Sequence, residues 1–272
     1  MSLKQIPNKI RVFAYDFTRY VLLNPQRSTL LSYEKAPGNL YLTTLDGERI
    51  GAYLIQPSEI NESTIFFIVC HGKGCDRHQA TDNGNLRAKA SQNACFLVID
   101  YRSFGDSTGT FTKEGVNLDL DAAFDFIRSN FKTTKIFLLG HSFGSAIALE
   151  YCQYLKTSNP KNLPEKTFCL ASFTSTIEIC REFTLFRILN FFFPNVGERI
   201  TNELNYNNTE SAKVISDSLV LIHGIKDRLV RYQHSKTISE VSGAELVLTD
   251  HDHLTVFSDL ANWDKIFKIC RN

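Results

Sequence analysis

Six short apolar runs dominate the chain. They are "STIFFIVC" from Ser63, "ACFLVIDY" from Ala94, "KIFLLG" from Lys135, "TFCLAS" from Thr167, "SLVLIHG" from Ser218 and "AELVLT" from Ala244. Each is too short for a buried helix and lacks the polar alternation of a half-exposed strand. Strands buried on both faces read this way, and such strands belong to parallel sheets covered by helices. Helical periodicities separate most of the runs, over residues 85–92, 117–129, 145–156, 231–241 and 256–270. Ahead of them, "NLYLTTLDGERIGAYLIQP" reads as a β-hairpin turning at Asp46-Gly47. The expected class is α/β, with a mainly parallel central sheet and helices on both faces.

One segment breaks this rhythm. From Phe173 to Val214 no strand pattern appears, and "REFTLFRILNFFFPNVGERI" is very apolar for a connection. A connection of that length is functional or carries its own helices. Residues 173–214 are therefore read as a small helical cap inserted between two parts of one core, 31–172 and 215–272. Residues 1–30 are read as an N-terminal helical segment. Its stripe of Ile10, Phe13, Phe17, Tyr20 and Val21 suits docking on the domain or contact with a membrane surface.

Thirty basic side chains face 29 acidic ones, so nothing in the charge balance favours nucleic acid. Seven cysteines, an odd number without C-x-x-C spacing, read as mostly buried thiols of a reducing compartment. Cys75 lies instead in a loop. No signal-peptide pattern and no run of eighteen apolar residues occurs, so a cytoplasmic location, with or without peripheral membrane contact, is the expectation.

The chemistry concentrates around Gly140-His141-Ser142-Phe143-Gly144. This G-x-S-x-G follows an apolar strand and opens a helical pattern, the context of a sharp strand–turn–helix that projects its serine. A serine hydroxyl needs a base, an orienting acid and an oxyanion site. "HGKG", His71 to Gly74, directly follows a strand and can supply a backbone donor from Lys73, with Gly74 second; Phe143 supplies the other. Asp227 follows "LVLIHG" as the candidate acid, although a helix N-cap is an equally ordinary role for it. Two histidines follow the last strand. His253 has the better spacing as base and His251 is the alternative. His141 and His71 read as structural neighbours. Gly74, Phe183, Phe186 and Leu189 are the substrate-binding candidates, the three cap residues as those that would hold an acyl chain.

Serine, acid and histidine in this order, each after a predicted strand, resemble the α/β-hydrolase fold serine hydrolases. "DYRSFGDSTGTFTKEGVNLDLDAAFDFI", Asp100 to Ile127, resembles the BEM46-like branch, which includes lysophosphatidylserine and monoacylglycerol lipases. Ser103 stands where that branch usually has glycine, and the Lys73-Gly74-Cys75 loop differs from its usual Asn-Ala-Gly type. Asp106 and Asp119 read as loop and helix-cap residues. The resemblance implies ester hydrolysis through an acyl-enzyme on acyl lipids of monoacylglycerol or lysophospholipid type. It implies no cofactor and no metal. The alternatives are a peptidase or thioesterase on the same triad, and a non-catalytic protein that binds lipid or a partner.

Overall fold

The computed structural model describes residues 23–25, 36–131, 133, 135–192 and 204–271, without the side chains of residues 185, 189, 190 and 192. The expected N-terminal helical segment lies outside the described residues except for residues 23–25. Eight strands form one sheet: β1 (Asn39–Thr43), β2 (Arg49–Ile55), β3 (Ile65–Cys70), β4 (Ala94–Ile99), β5 (Ile136–His141), β6 (Thr167–Leu170), β7 (Leu219–Gly224) and β8 (Glu245–Thr249). Their order is β1-β2-β4-β3-β5-β6-β7-β8. The β1–β2 and β2–β4 pairs are antiparallel, and all others are parallel. The hairpin turns where the sequence places it, with Thr43 opposite Arg49 and Gly47 at φ 85°.

The helices bounded within the described residues are α1 (Arg77–Asn83), α2 (Leu86–Ala90), α3 (Lys113–Phe131), α4 (Phe143–Ser158), α5 (Thr176–Glu182), α6 (Thr184–Phe192), α7 (Asn208–Val214), α8 (Gln233–Ser242), α9 (Thr255–Ser258) and α10 (Leu260–Arg271). None among the described residues is long and apolar enough to cross a membrane. The strand period of two divides the apolar residues between two cores. Phe66, Ile68 and Cys70 join Leu120 and Phe124 of α3 and Leu149 of α4. Ile65, Phe67 and Val69 join Leu86 of α2 and Trp263 and Phe267 of α10. Phe67 stacks on Phe96 at 5.3 Å and meets the edge of Trp263 at 5.8 Å.

Two helical boundaries differ from the pattern. Helix α1 carries a fully buried arginine, Arg77, on its inner face, which hides its apolar periodicity. Asp76 starts it by accepting from the His78 and Gln79 N–H groups, both at 2.9 Å. The long pattern over 256–270 breaks into α9 and α10 because Asp259 Oδ1 accepts from Asn262 N–H at 3.0 Å and caps a new helix.

Between β6 and β7 the chain leaves the sheet through a narrow neck. Ser175 bridges Asn207, Thr176 N–H donates to the Tyr206 carbonyl at 3.0 Å, and Asn208 Nδ2 donates to the Phe173 carbonyl at 2.7 Å. Helices α5 and α6 lie within this excursion.

Buried charges tie the loops after β3 and β4 together. Arg77 donates its N–H to Asp100 Oδ1 at 2.6 Å, and Nη1 to Asp100 Oδ2 at 2.5 Å and Asp106 Oδ1 at 2.6 Å. Tyr41 adds a hydrogen bond to Asp106 Oδ2 at 2.6 Å. Arg102 binds Asp119 through N–H and Nε, both at 2.9 Å, and reaches Asp46 at 2.9 Å. Asp119 thus lies inside α3, not at its cap. Its partner is an arginine from a distant loop, which the local sequence cannot announce. Ser103 adopts φ 73°, the conformation that favours glycine, and ties the loop with Oγ. That oxygen donates to the Gly109 carbonyl at 3.2 Å and accepts from Phe111 N–H at 2.9 Å.

Removing the cation from the first network strands two buried carboxylates. Arg77→Met is expected to cost about 3–5 kcal/mol in urea unfolding.

Candidate active site

Strand β5 ends at His141 and α4 begins at Phe143, so one residue makes the turn. That residue, Ser142, sits at φ 55°, ψ −117°, a strained conformation for a side-chain-bearing residue. The flanking glycines explain how the turn closes. A Cβ on Gly144 would lie 2.0 Å from the Cys70 carbonyl oxygen, and one on Gly140 would lie 2.4 Å from the Gly144 carbonyl oxygen. Ser142 N–H donates to the Leu170 carbonyl at 2.8 Å, and Ser145 Oγ donates to the Ser142 carbonyl at 2.6 Å.

Asp227 follows β7. Its Oδ1 accepts from the Leu229 and Val230 N–H groups at 2.8 and 2.9 Å. It therefore caps a local turn, while α8 starts only at Gln233. Its Oδ2 lies 2.6 Å from His253 Nδ1. His223 stands behind it. This histidine is fully buried, with Nε2 2.9 Å from the Val230 carbonyl and 3.4 Å from Asp227 Oδ2. Burial alone would push the Asp227 carboxyl up. The hydrogen bonds from His223 and His253 and from the Val230 N–H outweigh it and hold the group well below the usual carboxylate range. His251 faces elsewhere, with Nε2 3.3 Å from Asp259 Oδ2.

Ser142 and His253 line one cavity of about 250 Å³. The loop after β3 passes beside the serine: a Cβ on Gly72 would lie 3.5 Å from Ser142 Cβ. Lys73, Phe143 and Phe183 line the cavity too, with Phe173, Ile179 and Leu204 completing an apolar wall. Gly74, at φ 69°, and Phe186, which is buried, are not among the lining residues. The Leu189 side chain lies outside those described. A larger open hollow of about 770 Å³ shares no residue with this cavity and holds no histidine or cysteine.

The structure brings in residues that the sequence left unremarked. Cys180 joins Cys75 in the lining. Burial pushes these thiols up to about 12 and about 11, so neither supplies much thiolate at neutral pH. Desolvation against the wall also lowers the pKa of Lys73, whose Nζ lies 5.7 Å from the Phe183 ring centroid. His223 is the other unannounced member, while His141, read from the sequence as a structural neighbour, lines the cavity. The spacing of His223, four residues before Asp227 in a buried strand, is the one local hint.

A family model for the alpha/beta hydrolase fold matches residues 66–192. The Pyrococcus furiosus esterase Pf2001 superposes with a TM-score of 0.66 at 20% identity, covering 90% of this chain and 94% of its own. The chain has the α/β-hydrolase fold. Among curated relatives, human ABHD12B is 27% identical over 182 residues, 64% of this chain and 49% of that protein. The lysophosphatidylserine lipase ABHD12 of Gallus gallus is 25% identical over 160 residues, 57% of this chain and 41% of its own. The chain thus spans about half the length of these two relatives or less. A kynurenine formamidase of Scheffersomyces stipitis is 27% identical over 218 residues, 67% and 79% of the two chains.

The first turn of α4 lies directly against the end of β3 at Gly144. Gly144→Ala drives a methyl group into the backbone and is expected to cost at least about 3 kcal/mol, read as a lowered urea midpoint.

Proposed function

We propose that this hydrolase cleaves carboxylic esters of acyl lipids with Ser142 as nucleophile, His253 as base and Asp227 as orienting acid. The observation that carries the reading is the 2.6 Å contact between His253 Nδ1 and Asp227 Oδ2, beside a cavity that Ser142 and His253 share. An ionised carboxylate only accepts, so Nδ1 bears the proton and Nε2 is left as the base. His253 takes the Ser142 proton as Oγ attacks the acyl carbon. Asp227 stabilises the imidazolium. The proton then passes to the leaving alcohol, and water repeats the sequence on the acyl-serine. The Phe143 N–H, in the first turn of α4, and the Lys73 N–H hold the oxyanion. One such donor is worth about 3 kcal/mol of barrier.

The cavity wall supports an acyl group as the moiety bound. Phe173, Ile179 and Phe183 are apolar, and the rim residues Leu229 and Leu254 are more than half exposed. Helices α5 and α6, held at the neck, act as the cap over this site. Ile188 and Phe191 of α6 are exposed and offer that cap a contact with a lipid surface.

A fluorophosphonate probe is expected to label the wild type and not Ser142→Ala. Labelling retained in the mutant, or absent from a folded wild type, would defeat the reading and favour a binding protein. With p-nitrophenyl esters, Asp227→Asn is expected to lower kcat by about 10³-fold or more. At about 0.8 kcal/mol per buried methylene, kcat/KM is expected to rise about fourfold per added CH₂ until the cavity is full. A flat chain-length profile, or preference for thioesters or peptides over esters, would reassign the substrate.

A further inference from the structure

His141 precedes the candidate nucleophile, yet its imidazole reaches the loop that carries the candidate base. Its Nε2 lies 2.8 Å from the His253 carbonyl oxygen. A carbonyl only accepts, so Nε2 carries the proton and donates. The ring is buried and stacks on Phe257, with centroids 5.1 Å apart and planes 11° apart. Its centroid lies 5.0 Å from that of His253. We propose that His141 is a positioning residue that sets the spacing between Ser142 and His253, by bonding the backbone of the base from the residue next to the nucleophile. The proposal rests on the serine-hydrolase reading.

The two loops need such a tie. Ser142 stands at the end of β5, while His253 follows β8, at the far edge of the sheet. Two strands, β6 and β7, lie between them. Small errors in each loop would add up at the reacting atoms, where displacement by 1 Å is costly. The side chain of residue 141 spans that gap from a rigid strand end. The Phe257 face fixes the plane of its ring.

The chemistry also explains why a neutral donor suits the position. His253 gains a positive charge when it takes the Ser142 proton. A lysine or arginine beside it would oppose that charge. Burial first, and the neighbouring His253 second, lower the His141 pKa to about 3. The ring therefore donates as a neutral group throughout the working range of a histidine base.

The test compares His141→Gln, which keeps an N–H donor, with His141→Leu, which keeps bulk and loses the donor. On p-nitrophenyl butyrate the leucine variant is expected to lose about tenfold or more in kcat, with KM unchanged within about twofold. Its rate of fluorophosphonate labelling falls in step, and glutamine recovers at least about a third of the wild-type kcat. A leucine variant within twofold of wild type, or a folded glutamine variant as slow as leucine, overturns the proposal. Imidazole ¹⁵N spectra of the wild type supply a reading independent of variant folding. His141 is expected as the neutral Nε2–H tautomer from pH 5 to 9, and an imidazolium or Nδ1–H tautomer there overturns the proposal. A wild type inert to the fluorophosphonate removes the triad reading and this proposal with it. A reactive wild type with an equally reactive leucine variant removes this proposal alone.

Discussion

The site depends on how closely the first turn of α4 lies against β3. At Gly144 the backbone of the helix meets the Cys70 carbonyl with no room for a methyl group. That contact forces the chain to turn within a single residue, and Ser142 adopts its positive φ as a result. Strain of this kind survives only where the surroundings over-determine it. Here they do. The Ser142 N–H is bonded to the Leu170 carbonyl on β6, its carbonyl to Ser145, and both adjoining strands are wholly buried. The serine is held by the sheet, not by its own loop.

The loop beside that serine is held by charge. Asp100 lies at its two ends at once: it accepts from the Arg77 N–H at 2.6 Å and sits 3.4 Å from His71 Nε2. Tyr101 adds a hydrogen bond from its hydroxyl to the His71 carbonyl at 2.8 Å. Burying such charges contributes little net stability, because desolvation offsets most of the attraction. What it supplies is definition. A loop made of His71-Gly72-Lys73-Gly74-Cys75 has two glycines and no packing core of its own, so fixed ends are what give it one shape.

Part of this was legible in the chain itself. The strand runs, the hairpin turn and the helices α3, α4 and α8 follow from period and turn residues, which are local properties. Helix α1 was not legible, because Arg77 occupies its buried face and looks like a surface residue until Asp100 and Asp106 arrive from another loop. Asp119 was misplaced for the same reason. The expected acyl-site residues divide likewise: Phe183 reaches the cavity lining, while Phe186 packs away from it. Which face a cap residue turns inward depends on what the cap packs against, and no local pattern records that. His141 looked like a bystander, since a residue next to a nucleophile points away from it. It lines the same cavity as Ser142, and its Nε2 meets the His253 carbonyl.

By itself the sequence determined the class of fold and the order of its parts. Buried strands announce themselves as unbroken apolar runs, and a strand–glycine–serine–glycine–helix succession is a steric statement about one turn. It also marked Asp227 and His253 by their places after strands. Only the tertiary structure decided their company. It set His253, not His251, against Asp227 and turned His251 toward Asp259. It placed His223 behind Asp227 and His141 against the His253 carbonyl. The reason is separation along the chain: His141 and His253 stand 112 residues apart. Only the packing of the sheet between them determines that they meet.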